Sequence, residues 1–208
     1  MPRKKVTPPA DPRDRIVDAA LRLAATRGWR QLSLAEIADA AGLGIVDVYR
    51  LFRSKTAILQ GFVQRVDQAS LAGVGADFEP GERPRDLVFD TLMRRFDVLA
   101  RYKDAIRAMA REAPGDPIAA LCMGPGLLNA MAWTLETAGV PAGGWSGRLR
   151  AKLLLGIYLS VLRVWLADDS PDMARTMSVL DQRLRLAERW LGLATAAPGE
   201  AASSAGAG

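Results

Sequence analysis

The chain has no histidine among its 208 residues and a single cysteine, Cys122. Without histidine there is no Ser-His-Asp or Cys-His catalysis, and the commonest zinc and iron sites lose their imidazole ligands. One cysteine excludes an intrachain disulfide and fits a reducing compartment; its side chain is expected to pack as a small hydrophobe. No P-loop and no dinucleotide-binding glycine fingerprint occurs. The sequence therefore offers no positive argument for an enzyme, and none for a cofactor or a metal. Long apolar runs are missing as well. The longest, Leu153–Leu162, lies between Arg150, Lys152 and Arg163 and falls far short of the roughly 20 residues that span a bilayer. Near the N-terminus Arg3, Lys4 and Lys5 are followed by Pro8, Pro9 and Pro12 rather than an apolar stretch, so no secretory leader is expected. The expected location is the cytoplasm, with no stable membrane insertion.

What the chain does have is hydrophobic content and an uneven charge. Half of its residues are hydrophobic, enough for one large domain or two small ones sharing a core. The net charge is +5, and its distribution says more than its size. Residues 1–70 hold 12 Lys+Arg against 7 Asp+Glu, whereas residues 71–208 hold 16 of each. The whole surplus sits at the N-terminal end, which points to a polyanionic partner for that part.

Helical signals fill the sequence, and no strand pattern of any length appears. Residues 1–11 read as a flexible basic arm. Asp11 can cap a first helix that has Pro12 at its first position. Ile16, Ala20, Leu23 and Ala24 share one face of it, and Gly28 ends it. Ser33-Leu34-Ala35-Glu36 is a capping box for a short second helix whose apolar face is Leu34, Ile37, Ala38 and Ala41. Gly42 supplies a turn. Ile45–Phe52 forms a third short helix with Val48 and Phe52 facing inward, and Ser54 caps a fourth running to about Ala72. Residues 73–84 form a loop rich in glycine, proline and acids. Helical stretches are expected over 85–112, 117–138, 146–167 and 172–192. Ser170 and Pro171 are the expected cap and first turn of the last one, and Asp172 complements its positive N-terminal end. The acidic turn Asp168, Asp169, Asp172 is read as part of that cap rather than as a metal site. The tail over 193–208 is low-complexity. The fold class is all-α: a helix-turn-helix domain over 12–70, then a larger helical domain over 85–192.

Leu34–Ala41, Gly42 and Ile45–Phe52 have the spacing of a helix-turn-helix, in which one short helix crosses the DNA backbone and the second enters the major groove. The run from Ile16 through Gly28, Ser33, Ile37-Ala38, Ala41-Gly42, Val48-Tyr49, Phe52, Ser54-Lys55 and Leu59 resembles the N-terminal domain of the tetracycline-repressor family. The resemblance covers about residues 12–63. It implies a homodimeric, ligand-responsive repressor that binds double-stranded operator DNA, with a C-terminal helical domain for a small ligand and for dimerisation through its last two helices. The apolar side of the last helix here is Met177, Leu180, Leu184, Ala187 and Leu191. On this resemblance Tyr49 and Lys55 hold DNA phosphates, and Gly44 stands where a serine or threonine often caps the recognition helix. Ile45, Val46, Asp47, Arg50 and Leu51 stand at groove-facing positions. Ser33 and the arm residues Arg3, Lys4 and Lys5 complete the DNA-binding candidates. Arg50 is the strong base reader, and Arg53 joins Lys55 as a backbone contact. Asp47 departs from the pattern, because an acid beside phosphates is repelled unless it accepts from a cytosine amino group.

The second half carries a further resemblance. Asp168-Asp169-Ser170-Pro171-Asp172-Met173, with Thr176, Leu180-Asp181 and Arg183-Leu184, is similar to the C-terminal signature of the coenzyme Q biosynthesis accessory family. That implies the same fold, an isoprenoid or other lipid in the ligand domain, and an alternative function in which the chain assists ubiquinone synthesis with weak or no DNA binding. The candidate ligand-binding residues for a small apolar or isoprenoid-like ligand are Met93, Phe96, Met109, Met131, Trp133, Leu154, Tyr158 and Trp165. Methionine-rich and aromatic walls adapt to a long apolar guest, although an apolar stripe at helical spacing is more often plain core.

Overall fold

The computed structural model describes residues 11–72, 82–112 and 117–193, and for residues 117–123 it describes the backbone alone. The arm residues Arg3, Lys4 and Lys5, the tail, and the side chain of Cys122 thus lie outside the described residues. Within them the chain is all-α: α1 (Pro12–Arg27), α2 (Leu34–Ala41), α3 (Ile45–Leu51), α4 (Lys55–Leu71), α5 (Pro84–Ala100), α6 (Lys103–Glu112), α7 (Pro117–Thr137), α8 (Gly144–Leu166) and α9 (Ala174–Leu191). No helix among the described residues is long and apolar enough to cross a membrane.

The helices group into two compact units that alternate along the chain. The first comprises residues 1–65 and 102–124, the second residues 66–101 and 125–208. The stretch expected as one helix over 85–112 is two helices, α5 and α6, and the break at Arg101-Tyr102 coincides with the change of unit. Neither glycine nor proline marks it. Phe96 and Leu99 are buried in the second unit, whereas Tyr102 joins the first, where its ring meets Phe62 edge-on at 5.1 Å.

In the first unit α1 packs most extensively against α2 and α6. Its buried residues are Ile16, Val17, Ala19, Ala20, Leu21 and Ala24, so Leu21 takes the inward place expected of Leu23. Asp11 caps α1 by accepting from the Arg13 N–H at 2.9 Å. The Gly42 turn is left-handed (φ 64°), which favours glycine. Arg15 reaches across from α1 and donates to the Ala41 and Gly42 carbonyls at 2.5 and 3.2 Å, satisfying carbonyls that the end of α2 leaves open. Gly61 of α4 leaves the space that Phe52 fills: a Cβ there would lie 2.7 Å from the ring. Arg65 on α4 ties to α1 and to the residue that leads into α6, donating to Asp14 (3.1 Å), Asp18 (2.8 Å) and the Tyr102 hydroxyl (2.8 Å).

In the second unit α8 and α9 form the main pair, and α9 also packs on α5. Phe96, Tyr158 and Trp165 stack at its centre, with ring centroids 5.5 and 5.6 Å apart. Leu92, Met131, Leu135, Leu154, Leu180, Leu184 and Leu191 are fully buried around them. The start of α9 differs from expectation. It begins at Ala174, after Met173 in the left-handed region, and Ser170 does not cap it. Asp168 does, accepting from the Thr176 N–H (2.9 Å) and hydroxyl (2.7 Å) with one oxygen, and from Ser170 with the other. These bonds hold its carboxyl well below the ordinary range, the Ser170 and Thr176 side chains contributing most. A carboxylate accepts charge-assisted bonds from donors two and eight residues on, which a serine hydroxyl at position 170 does less well.

Candidate functional site

Helix α3 is only seven residues long, and the sequence divides it sharply. Val48 is fully buried and Phe52, just past its end, nearly so. These two lock one face onto the first unit. Arg13 lies 4.9 Å above the Phe52 ring and covers it from α1. The opposite face holds Ile45, Val46 and Tyr49, exposed to 49%, 58% and 58%, with Asp47 and Arg50 beside them. Burying one side of so short a helix fixes the direction of the other. Tyr49 is therefore a surface aromatic, although its residue type alone is equally compatible with a core position.

The remaining candidates sort by what already holds them. Gly44 begins α3 without a side-chain cap. Asp47 compensates: its carboxylate sits so close that a Cβ on Gly44 would lie 3.2 Å from it, within the first turn where negative charge is favoured. Asp47 also pairs with Arg50 at 3.4 Å. The acid that looked misplaced in a DNA-reading helix thus has a local role, and the pair is exposed enough to open at little cost. The Ser33 hydroxyl belongs to the capping box, donating to Glu36 at 2.8 Å and accepting from the Glu36 N–H at 3.2 Å. With the Ser33 backbone, the Ser33 hydroxyl and Arg27 all donating to it, the Glu36 carboxyl falls to about 2. Lys55 is drawn inward: its ammonium donates to the Trp29 and Arg30 carbonyls, both at 3.2 Å, and lies 5.7 Å from the Trp29 ring. It staples the turn between α1 and α2. Glu112 at the end of α6 serves the same turn, accepting from the Arg30 N–H at 3.0 Å and pressing against Gly28. Sequence reasoning missed Arg15, Arg65 and Glu112 in these supporting roles, because their partners lie 26 to 82 residues away.

Of the ligand-binding candidates, the structure brings together Phe96, Tyr158 and Trp165, and buries Met131 and Leu154 in the same unit. Met93 is half-buried, and Trp133 is 55% exposed, on the side of α7 away from Ala130, Met131 and Leu135. Met109 belongs to the first unit. What the sequence did not flag is a charge in that core. Arg95 holds an inward position on α5 among Leu92, Phe96 and Leu99 and is 5% exposed. It pairs with Asp67 and donates to the Tyr158 hydroxyl at 3.3 Å.

The second unit also has an outward apolar surface. A groove of about 760 Å³ runs between α8 and α9, lined on one side by Leu149, Leu153 and Ile157 and on the other by Leu186, Ala187 and Trp190. Leu180, Leu184 and Leu191, expected as a dimerising stripe, are instead buried within the chain, and Leu186 and Trp190 face out at 76% and 79%.

Comparison with known proteins agrees with this geometry. The model of bacterial regulatory proteins of the tetR family matches residues 16–61. The HTH-type transcriptional regulator AlkX of Mycobacterium tuberculosis is 31% identical over 67 residues, a stretch that spans about a third of each chain (32% of both). Among solved structures, a TetR transcriptional regulator from Nitrosomonas europaea superposes with a TM-score of 0.69 at 23% identity, covering 85% of this chain and 98% of that one. Thermus thermophilus FadR, a TetR-family repressor solved in complex with lauroyl-CoA, superposes with a TM-score of 0.57 at 22% identity, covering 89% and 97%. Residues 16–61, with α2 and α3 at their centre, thus match the tetR-family model of bacterial regulatory proteins, and the chain shares its fold with solved regulators of that name.

Proposed function

We propose that the chain is a ligand-responsive transcriptional regulator that binds double-stranded operator DNA through α2 and α3. The observation that carries this reading is the outer face of α3. Ile45, Val46, Tyr49 and Arg50 project from a helix whose other side is locked by Val48 and Phe52, and among the described residues their only side-chain hydrogen bond or ion pair is the exposed Arg50–Asp47 pair. In a major groove Arg50 can take guanine edges, Ile45 and Val46 can pack on thymine methyls, and the Tyr49 hydroxyl can reach a phosphate. Lys55 enters this reading through its hold on the Trp29-Arg30 turn as well as through any phosphate contact. The α8–α9 groove supports a homodimer, since a two-fold axis there would cover Leu186 and Trp190 of both copies. The buried aromatic cluster of the second unit, and the lauroyl-CoA carried by the Thermus thermophilus FadR structure, support an apolar ligand.

The test is binding to DNA from the region upstream of the chain's own gene, followed by fluorescence anisotropy at graded salt. A regulator gives specific binding whose affinity falls steeply with salt. Arg50→Ala lowers the specific affinity by about 10- to 100-fold, from the roughly 1–3 kcal/mol of one bidentate base contact. Absence of specific binding to any genomic fragment refutes the reading.

A further inference from the structure

Resting on the ligand-binding reading above, we propose that Arg95 anchors the head group of an apolar carboxylic acid in the core of the second unit, and that Asp67 is the internal carboxylate which the ligand's carboxylate replaces. The first ground is position. The buried face of α5 runs Leu87, Val88, Thr91, Leu92, Arg95, Phe96, Leu99, and a leucine at 95 would continue it without a charge. A buried ion pair stabilises a fold no better than well-packed apolar residues of similar volume, because both charges lose their water. Packing alone therefore does not account for the arginine.

The second ground is what surrounds the guanidinium. It lies 5.4 Å from the centre of the Tyr158 ring and donates to that residue's hydroxyl. Tyr158 stacks on Phe96, which stacks on Trp165. One charged fork thus borders a wall of three aromatic rings, with fully buried Leu92 and Leu154 in the same unit. An apolar chain with one anionic end matches that pairing of surfaces. A guanidinium binds a carboxylate through paired N–H donors, and the group it already grips is a carboxylate.

The third ground is the asymmetry of the pair. The Arg95 side chain is 6% exposed, that of Asp67 19%. Burial raises the Asp67 carboxyl above its ordinary value despite the attraction of Arg95, whereas Arg95, favoured by Tyr158 and Asp67 against its own burial, stays charged. Asp67 is the partner with a way to water and the one less well served by its place. Exchanging it for a ligand carboxylate leaves the charge of the core unchanged.

The experiment is calorimetric titration of the full chain with decanoate and with decanol, both below their aggregation limits. The two share a chain and differ in the head. Decanoate is expected to bind at least about tenfold more tightly, the roughly 1.4 kcal/mol that a charge-assisted contact readily supplies. Arg95→Met removes the difference between decanoate and decanol. Asp67→Asn removes the competitor and widens that difference in favour of decanoate by about tenfold. It also carries the test if Arg95→Met does not fold. Equal binding of the two amphiphiles overturns this proposal and leaves the apolar-ligand reading standing. So does an Asp67→Asn variant that melts earlier and binds decanoate no better, which is the behaviour of a purely structural pair. Binding of neither amphiphile overturns both.

Discussion

If the proposed dimer forms on the α8–α9 groove, Trp190 separates a residue that holds the chain together from one that holds two chains together. It is 79% exposed at the rim of the α8–α9 groove. Covering an indole in that position removes on the order of 150 Å² from water, about 4 kcal/mol per copy at ~25 cal/mol per Å². A two-fold interface counts every side chain twice. Allowing half of that for incomplete cover, Trp190→Ala weakens the dimer by about 4 kcal/mol, roughly a thousandfold in Kd. An exposed side chain contributes little within its own chain, so the variant monomer keeps its helix content and its stability changes by no more than about 0.5 kcal/mol. Leu184→Ala is the contrast. Leu184 is fully buried on the same helix, and its truncation costs about 2–5 kcal/mol of folding stability while leaving the outward surface intact. Sedimentation velocity over a dilution series reads association, and urea unfolding at fixed protein concentration reads stability. A Trp190→Ala variant that stays dimeric over the same range as the parent refutes the assignment of this groove.

Two further outcomes follow from the first unit. The Glu36 carboxyl sits at about 2 in the folded chain against 4.5 for a free side chain. Because the folded value is the lower one, the stability it contributes is complete above the unfolded value and is lost as pH falls from about 4.5 toward 2. Acid titration of helix content should show a step in that window, and Glu36→Gln should flatten it; an unchanged acid limb counts against the capping box. Gly61→Ala sets two effects against each other. Alanine favours a helix interior by about 0.8–1 kcal/mol over glycine, but its Cβ would stand 2.7 Å from the buried Phe52 ring, and overpacking of that kind costs about 1–3 kcal/mol. The variant is expected to melt earlier than the parent, and a higher melting temperature would show that Phe52 moves freely.

The sequence made the frame of α1–α4 legible because each of its signals is local. The Asp11 cap, the Ser33–Glu36 box and the left-handed Gly42 depend on residues within four positions of one another, and the structure shows all three. Where the sequence misled, a distant partner decided. Nothing near Arg101 announces a break; it follows from Tyr102 meeting Phe62, Arg65 and Asp18. In α9 the apolar residues fall on two faces. One, through Leu180, Leu184 and Leu191, packs inside the chain, and the other, through Leu186 and Trp190, does not. Periodicity finds both faces and cannot rank them. Arg95 was recoverable, since it stands three residues after Leu92 and four before Leu99, on the face they define. An arginine at such a position is a sequence-level flag for a buried pair, though Asp67 as its partner is not.

The positive surplus of the first 70 residues also changes meaning once its members are placed. Arg27, Arg50 and Arg65 each sit against a carboxylate, Glu36, Asp47 and Asp14 with Asp18 respectively. Those charges largely cancel. Arg13 covers the Phe52 ring, Arg15 closes the end of α2, and Lys55 holds the Trp29 and Arg30 carbonyls. Among the described residues these three have rings and carbonyl dipoles as partners, so their formal charge remains. The net charge of this region is thus carried in part by the same side chains that set the angles between α1, α2 and α3. On the proposed reading, a phosphate backbone approaching α3 meets a field that Arg13, Arg15 and Lys55 fix in part from within the frame. Those three side chains need little further ordering on binding, and this lowers the entropic cost of the encounter. The apolar outer face of α3 is then less of an anomaly. On the proposed reading, the frame supplies part of the attraction, Val48 and Phe52 supply the orientation, and the exposed Ile45, Val46 and Arg50 are left for the bases and their methyl groups, with Tyr49 for a phosphate.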